Sequence, residues 1–450
     1  MTLWALSARE AAAQIRTGAL TSATLVQACL DRIADTDAAI GAWAHLDAEA
    51  ALAQAAAMDD LRRRGRPVGA LHGVPVGIKD IFETRDMPTG LGSRVHTGRQ
   101  GDTDAALVEK LRSAGAVILG KTVTTPFAFA SPAHTRNPHD PAKTPGGSSS
   151  GSAAGVAAGH MPLALGTQTG GSVIRPASFC GVYGYKPTRG LLSRRGCLKT
   201  SATLDQPGLF ARSLDDLAIL ADALTGFDAA DPASIGRPVP QLEAGYAQAP
   251  PVEPIFAWID LPYADRMSPA LQAGLDELLT ALGDRVERLE APASFADVIA
   301  HHAIVHRYEF YHTLHNDPGL APSEIDETMA GLLAAGAKIT EGDYHTALSY
   351  LDGARAYFES FFNDYDAIIA PSALGEAPPI ADGTGDAICS LIWTFAGLPC
   401  LSLPWLSGEG GLPLGVQLIG SVEEDDRLFR TAAWLARHVD ESDEGQGETG

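Results

Sequence analysis

The amino-acid sequence predicts an α/β fold with a largely parallel central sheet. Helical patterns alternate with short apolar strands, as where a helix over 104–115 is followed by the strand Ala116–Leu119. This alternation is typical of parallel sheets that carry helices on their faces. Hydrophobic residues make up 45% of the 450 residues and charged residues 20%, which supports a large core and argues against bulk disorder.

The first part of the chain contributes two helices and a strand that ends near a lysine. An amphipathic pattern predicts a helix over 7–33 with Ser7 as its N-cap, and an alanine-rich stretch predicts a second helix over 46–64. The apolar run Leu71–Asp80 predicts a buried strand, and Lys79 lies near its end. A core strand is therefore expected to present a lysine at its end.

The later elements follow the same alternation around one long connection. The apolar stretch Ala153–Leu165 predicts a buried helix that enters a strand, and the proline-rich stretch 226–254 predicts a surface connection. The other predicted elements are helices over 213–224, 268–282, 296–316, 345–363 and 425–438, and strands over 255–259, 366–370, 399–404 and 414–419. The acidic, glycine-rich residues 440–450 predict a disordered tail.

Five histidines fall on the helix predicted over 296–316. His302 and His306 have the i, i+4 spacing that metal ligands use on helices. No glutamate follows His302 directly, and no further ligand completes a set in this stretch. We therefore expect ordinary helical histidines and no metal site.

Charge and cysteine usage indicate where the protein works. The net charge of −22 argues against nucleic acid and anionic membranes as electrostatic partners. The five cysteines are widely spaced and form no Cys-x-x-Cys pair, which is typical of reduced thiols. Neither a signal peptide nor a transmembrane helix is predicted, so we expect a cytoplasmic protein without a membrane partner.

Two glycine–serine segments, Gly146–Ser152 and Gly170–Ser172, dominate the centre of the chain. Ser148 and Ser172 lie 24 positions apart, and the stretch between the segments is apolar. A flexible linker would lack that apolar stretch, and a phosphate-binding loop would need a lysine after its last glycine. The pattern therefore predicts two turns that hold reactive hydroxyls against a rigid core.

A lysine is the candidate base for these serines, since no histidine lies within either segment. Burial lowers the pKa of a lysine, and Ser–Lys pairs are an established alternative to the Ser-His-Asp triad. We predict Lys79 as the base, with one serine from each segment as relay and nucleophile. Gly170 and Gly171 would offer backbone N–H groups to an oxyanion. The alternative for Lys79 is a surface lysine whose stem alone is buried.

Longer motifs around these residues match a known family. The motifs are Gly77-Ile-Lys79-Asp80, Thr144-Pro-Gly-Gly-Ser-Ser-Ser-Gly-Ser-Ala153, Gly166-Thr-Gln-Thr-Gly-Gly-Ser172, Gly184-Tyr-Lys-Pro-Thr188, Ala396-Gly-Leu-Pro-Cys-Leu-Ser-Leu-Pro404 and Gly411-Leu-Pro-Leu-Gly-Val-Gln-Leu-Ile-Gly420. With these motifs the chain resembles the amidase signature family. They cover 71–210 densely and 390–435 well, whereas 225–385 carries none.

This resemblance implies a fold and a catalytic set. The family fold is a single α/β/α domain around a large mixed, mostly parallel sheet, which would here span residues 1–439. Lys79 matches the family's lysine, Ser148 the bridging serine that follows a cis peptide bond, and Ser172 the nucleophile. The backbone N–H groups that match the oxyanion hole are those of Thr169, Gly170, Gly171 and Ser172.

Two departures from the common family pattern concern the nucleophile loop. Gln168 stands where many members have aspartate, and the arginine after the nucleophile, Arg175, is three residues on rather than two. The second pattern is similar to malonamidase-type members, in which this arginine binds a substrate carboxylate. The alternative is that Arg175 packs structurally near Pro176. The other expected contacts to substrate are Phe127, Ala128, Phe129 and Ser149.

The expected reaction is hydrolysis of a small-molecule amide through an acyl-enzyme on Ser172. One alternative is a carbamate or aryl-amide hydrolase with the same triad, and another is an amidotransferase subunit of a tRNA-charging complex. A catalytically dead binding protein is disfavoured by the intact catalytic set. We expect a small amide or carbamate as partner, no cofactor and no direct contact to nucleic acid, and we leave a homodimer open.

Overall fold

The computed structural model of the protein describes residues 2–66 and 69–447, with side chains described as far as Val439. Eleven strands in this part of the chain form one sheet. The strands are β1 (Trp43–Leu46), β2 (Pro75–Lys79), β3 (Val117–Thr122), β4 (Leu163–Gln168), β5 (Tyr183–Lys186), β6 (Gln206–Ala211), β7 (Phe256–Asp260), β8 (Val286–Glu290), β9 (Ala367–Pro371), β10 (Cys400–Ser407) and β11 (Pro413–Ile419).

The order of strands across the sheet is β1-β3-β2-β4-β6-β5-β10-β11-β9-β7-β8. Strand β2 pairs parallel with β3 and β4, and β7 pairs parallel with β8 and β9. The other pairings described are antiparallel. The predicted α/β fold around a single large mixed sheet is confirmed. Parallel pairs are fewer than the alternation suggests, because β5 and β6, and β10 and β11, are joined without an intervening helix.

Fourteen α-helices flank the sheet in the described residues. They are α1 (Ala8–Thr17), α2 (Ser22–Ile40), α3 (Ala48–Arg63), α4 (Ala106–Ser113), α5 (Ser150–Ala157), α6 (Ile174–Cys180), α7 (Leu214–Leu224), α8 (Leu242–Ala247), α9 (Pro269–Leu282), α10 (Ser294–Leu314), α11 (Glu327–Gly336), α12 (Glu341–Phe361), α13 (Ile388–Ala396) and α14 (Asp425–Gly447). No helix in this part of the chain is long and apolar enough to cross a membrane.

The two glycine–serine segments are held over the middle of the sheet. Helix α5 begins within the first segment and packs on β2, β3, β4 and β6, whereas α6 begins just after the second and packs on β5, β10 and β11. The two helices also contact each other. The sheet and this helix pair therefore bring together segments that are distant in sequence.

The middle of the chain, which carries no family motif, contributes helices that pack beside the two glycine–serine segments. Helices α10, α12 and α13 pack on one another around a second apolar cluster that includes Phe295, Phe358 and Trp393. The ring centroids of Phe358 and Trp393 lie 5.5 Å apart. Because α13 also contacts the second glycine–serine segment, this cluster fixes one wall of the site.

Three predicted elements differ from the structure. The helix predicted over 7–33 is two helices, because Gly18 ends α1 in a left-handed conformation at φ 83° and Thr21 caps a new helix by accepting from the Thr24 N–H. The connection over 226–254 contains α8. Helix α14 extends to Gly447, where a disordered tail is predicted, and residues 448–450 lie outside the described residues.

Candidate active site

Lys79 lies at the end of β2, a strand that is hydrogen-bonded on both sides, and its side chain is fully buried. Its Nζ donates to three hydroxyls: Ser148 Oγ at 2.8 Å, Ser149 Oγ at 3.0 Å and Thr167 Oγ1 at 2.7 Å. Burial lowers the pKa of Lys79 from 10.5 to about 7, because the charged form loses its hydration. The amine is therefore close to its deprotonation point at neutral pH.

Ser148 and Ser172 are neighbours in space. The backbone N–H of Ser148 donates to Ser172 Oγ at 3.1 Å, and Ser172 is half-buried. Gly147 permits this approach, since a Cβ on it would lie only 2.9 Å from the Ser172 Cα. In the described residues the two serines meet through this N–H group, and no bond joins their two hydroxyls. Lys79 thus contacts the Ser148 hydroxyl directly, whereas Ser148 meets Ser172 through its backbone N–H group.

The family resemblance implies a cis peptide bond before Ser148, and this prediction is wrong. Every peptide bond within residues 2–66 and 69–447 is trans, including the bond between Gly147 and Ser148. The chain turns instead at two successive glycines in the left-handed region, Gly146 at φ 78° and Gly147 at φ 62°. Two glycines therefore supply the sharp turn that leads into Ser148.

The turn Thr169–Ser172 follows β4 directly. In the described part of the chain, its four backbone N–H groups have no acceptor. Two carbonyl groups of the turn are held by other elements: His302 Nε2 on α10 donates to the Thr169 oxygen at 2.8 Å, and Thr394 Oγ1 on α13 donates to the Gly170 oxygen at 2.9 Å. The peptide planes of the turn are thereby fixed while their N–H groups are left for another partner.

Gln168, which stands where many family members have aspartate, organises the same turn. Its Oε1 accepts from the N–H groups of Val173 and Ile174, at 2.9 and 3.0 Å, where α6 begins. Its Nε2 donates to Thr394 Oγ1 at 3.0 Å. An amide makes both contacts, whereas a carboxylate could only accept. Gln168 therefore couples the start of α6 to α13.

Asp205 is a further buried carboxylate beside the turn. It accepts from Thr169 Oγ1 at 2.5 Å and from the Thr200 N–H at 2.6 Å. Burial raises the pKa of Asp205, although these hydrogen bonds oppose that rise. Its charge also acts in the direction of a higher pKa at Lys79. Asp205 thus holds the first residue of the turn and contributes to the electrostatics of the site.

Arg175 lies on α6, about one turn after Ser172. Its side chain is buried, and its Nη2 donates to Thr384 Oγ1 at 3.3 Å. Its Nε has no partner, and no carboxylate of the described residues lies within 4.0 Å of its guanidinium. Burial lowers the pKa of Arg175 to about 10, with Asp386 opposing that shift. The structure thus contains a buried cation near the nucleophile without a close counter-charge.

The residues expected to contact substrate fall into different environments. Phe129 stacks on Phe310 of α10 with ring centroids 4.1 Å apart, so it belongs to the wall formed by the middle of the chain. Phe127 is buried against His96, with ring centroids 5.9 Å apart. Ala128 lines a small cavity together with Thr169.

Ser149, also expected to contact substrate, is fully buried and engaged inside the site. Its Oγ accepts from Lys79 Nζ and from the Thr167 N–H, and donates to the Thr167 oxygen at 3.1 Å. The structure therefore places it as a partner of Lys79 rather than on an open surface.

Sequence reasoning missed His302, Thr394 and Asp205. His302 is one of four histidines on α10, and its spacing from His306 suggested only a pair of metal ligands. No group of three ligating side chains is found in the described residues. Thr394 and Asp205 lie among ordinary apolar and polar residues. The signal that identifies all three is spatial, because each reaches the turn from a remote segment.

Comparison with known proteins gives one consistent family. A family profile described as Amidase matches residues 24–429. One subunit of the Glutamyl-tRNA(Gln) amidotransferase of Thermobifida fusca is 35% identical, covering 95% of this chain and 94% of the relative. The corresponding subunit in Anaeromyxobacter sp. is 36% identical, covering 96% of both.

Two solved structures are similar over nearly the whole chain. The peptide amidase of Stenotrophomonas maltophilia is 30% identical with a TM-score of 0.82, covering 96% of both chains. A chain from a vestigial protein complex connected with the evolutionary origins of an s-triazine catabolic enzyme is 29% identical with a TM-score of 0.90. That match covers 96% of this chain and 98% of the other.

Proposed function

Since the chain belongs to the amidase family, we propose that it cleaves the C–N bond of an amide through an acyl-enzyme on Ser172. The observation that carries this proposal is the contact of the buried Lys79 with Ser148, whose N–H in turn reaches Ser172 Oγ. A buried amine with a pKa near 7 is a competent base at neutral pH.

The proposed reaction begins with attack of Ser172 Oγ on the amide carbonyl carbon. Ser148 accepts the proton of Ser172 and passes its own to Lys79, which requires the two hydroxyls to turn toward each other once substrate is bound. The developing oxyanion accepts from the N–H groups of the turn Thr169–Ser172. Return of the proton to the leaving nitrogen releases the amine, and water then hydrolyses the ester on Ser172.

A second candidate is an amidotransferase component, and the curated relatives favour it over a free-standing amidase. The relatives with this name align over about 95% of the chain, without a large region unique to either protein. By its name such an enzyme transfers an amide nitrogen to an acceptor, so cleavage of a donor amide would use the same catalytic set. The protein would then act within a complex of several different chains.

One experiment separates these functions. We expect the purified chain to release amine or ammonia from at least one member of a panel of primary amides, aryl amides and carbamates. Turnover by the chain alone supports the free-standing amidase, and preference within the panel decides between amide and carbamate. Turnover only after addition of its co-purified partner proteins supports the amidotransferase. No turnover in either state would contradict amide cleavage. Sedimentation of the same sample tests whether the chain forms a homodimer, which the sequence leaves open.

Arg175 is expected to select substrates with a carboxylate near the scissile bond. A charge-assisted hydrogen bond contributes about 1.5–3 kcal/mol, or roughly ten- to 150-fold in kcat/KM. Arg175→Ala should lose this preference while sparing a neutral aryl amide, and Arg175→Lys should retain part of it, because lysine lacks the planar fork. If the alanine variant lowers kcat/KM equally for both substrates, Arg175 is a packing residue beside Pro176.

Thr394→Val should reduce kcat without much change in KM. The valine keeps the shape but removes both the donor to the Gly170 carbonyl and the acceptor of Gln168 Nε2, so the turn that would bind the oxyanion loses two restraints. Each hydrogen bond contributes on the order of 1 kcal/mol, which predicts a decrease of roughly 30-fold. Thr394→Ser keeps the hydroxyl and is the matched control. An equal decrease in both variants would show that packing, not the hydrogen bond, matters.

A further inference from the structure

A second cleft lies at the end of α13 that is remote from the oxyanion turn. Helix α13 begins beside Gly171, where Ala387 and Ser390 approach the turn, and ends just before Gly397, which lines the cleft. The cleft has a volume of about 440 Å³, and its lining includes none of the residues of the candidate active site. It is therefore a separate feature of the surface.

Three arginines line this cleft: Arg189, Arg237 and Arg355. Arg237 pairs with Glu423 at 3.1 Å. Arg355 has only Asp352 at 4.0 Å, and Arg189 has no carboxylate within that distance in the described part of the chain. The whole protein carries a net charge of −22. Two arginines without a close carboxylate in one cleft, Arg189 and Arg355, therefore form a local excess of positive charge on an acidic protein.

The donors of these arginines are incompletely used. The Nε atoms of Arg189 and Arg237 are buried and have no partner. Arg189 otherwise donates from Nη2 to the Ala202 oxygen at 3.0 Å, and Arg237 from Nη2 to the Arg189 oxygen at 3.3 Å. Burial, assisted by repulsion from Arg355 and Arg194 and opposed by Glu309 and Asp231, lowers the pKa of Arg189 to about 10. An anion in the cleft would offset this repulsion and accept charge-assisted hydrogen bonds from the guanidinium groups that line it.

The cleft also has an apolar part. Ile235 and Val422 line it and are 58% and 40% exposed, although both are large hydrophobic side chains. Ala396 and Leu398 contribute buried apolar surface beside them. From the arginines and this apolar surface together we infer that the cleft binds a small organic anion, a carboxylate or phosphate group carried on an apolar body.

The protein's own carboxylates are the competitors for these arginines. Glu359 lies four residues after Arg355 on α12 and lines the cleft, yet no ion pair joins the two in the described residues. A rotation of this exposed side chain would bring it toward Arg355. Glu359→Gln should therefore tighten anion binding. Unchanged binding in this variant would count against an anion site beside Arg355.

Calorimetric titration with benzoate, phenyl phosphate and benzylamine tests the inference. Wild-type protein should bind benzoate or phenyl phosphate but not benzylamine, which has a similar size and the opposite charge. Arg355→Gln should weaken binding about ten-fold or more, the loss expected for one charge-assisted hydrogen bond. Arg288→Gln removes an exposed arginine elsewhere, paired with Asp276, and should leave binding unchanged.

The competing site for benzoate is the one beside Arg175, so Arg175→Ala is titrated as well. Binding that survives Arg175→Ala and falls in Arg355→Gln supports the cleft. Binding that falls in Arg175→Ala and survives in Arg355→Gln overturns the inference, as does equal binding of benzoate and benzylamine. Inorganic phosphate that binds as tightly as phenyl phosphate would contradict a role for the apolar part. These titrations need no turnover, so their outcome does not depend on the proposed reaction.

Discussion

Ser172→Ala is expected to abolish amide turnover while leaving the fold intact. The substitution removes only the oxygen that would form the acyl bond, and the half-buried site is left with little empty space. Loss of the nucleophile lowers kcat by about six orders of magnitude in a Ser-His-Asp hydrolase, and we expect a decrease of several orders of magnitude here. Initial rates on the best amide of the panel, with circular dichroism and a melting curve on the same sample, measure both effects.

Chemical labelling provides the control for this substitution. A sulfonyl fluoride or fluorophosphonate should modify wild-type protein at Ser172, as located by peptide mass spectrometry, and should not modify the alanine variant. Ser150→Ala is the matched variant, because Ser150 lies in the other glycine–serine segment and its buried Oγ has no partner. It should retain labelling. Modification at Ser149 or Ser150 in the wild type would overturn the assignment of the nucleophile.

Lys79→Met should lower kcat by about two to four orders of magnitude, the usual contribution of a general base. Methionine fills most of the buried volume of the lysine stem but cannot accept a proton. In the wild type, activity should rise with pH through about 7, since the amine is deprotonated above that value and is then able to accept the serine proton. A rate that stays flat from pH 6 to 9, with chemistry rate-limiting, would exclude a lysine base.

Lys121 is the matched control for the pH profile. It is also buried, and burial lowers its pKa to about 8, but it donates to Thr89 Oγ1 at 2.7 Å and lies 3.5 Å from Asp80. Because its contacts include neither Ser148 nor Ser172, Lys121→Met should preserve the inflection near pH 7. A shift of that inflection in the Lys121 variant would show that the titrating group is Lys121 and not Lys79.

The meeting of Lys79 with the two glycine–serine segments was predictable from sequence, and the choice of Ser148 and Ser172 within them followed from the family resemblance. An apolar run ending in a lysine indicates a buried amine, and two glycine–serine turns flanking an apolar stretch indicate segments that fold back onto one core. What the sequence could not reveal is which atom of Ser148 meets Ser172. That choice depends on the rotation of a single peptide plane and side chain, which residue types do not determine.

The restraints on the oxyanion turn were not predictable for a different reason. His302 and Thr394 reach the turn from positions 133 and 224 residues away in the chain, and neither belongs to a local pattern that marks a role. Their positions follow from how α10 and α13 pack, which depends on the complete apolar cluster around Trp393. Only the assembled structure places a histidine and a threonine behind the same pair of peptide groups.

Lys79 also links the stability of the fold to proton binding. Its amine would titrate near 10.5 in the unfolded chain but has a pKa of about 7 in the folded protein. Between these values the unfolded chain holds a proton that the folded chain has lost, so the free energy of unfolding rises with pH across this interval. Below pH 7 the amine is protonated in both states, and the folded protein bears the full cost of burying the charge. That cost is about 1.4 kcal/mol for each unit by which folding lowers the pKa. The amine proposed as the base is thus a destabilising element of the fold at neutral and acidic pH.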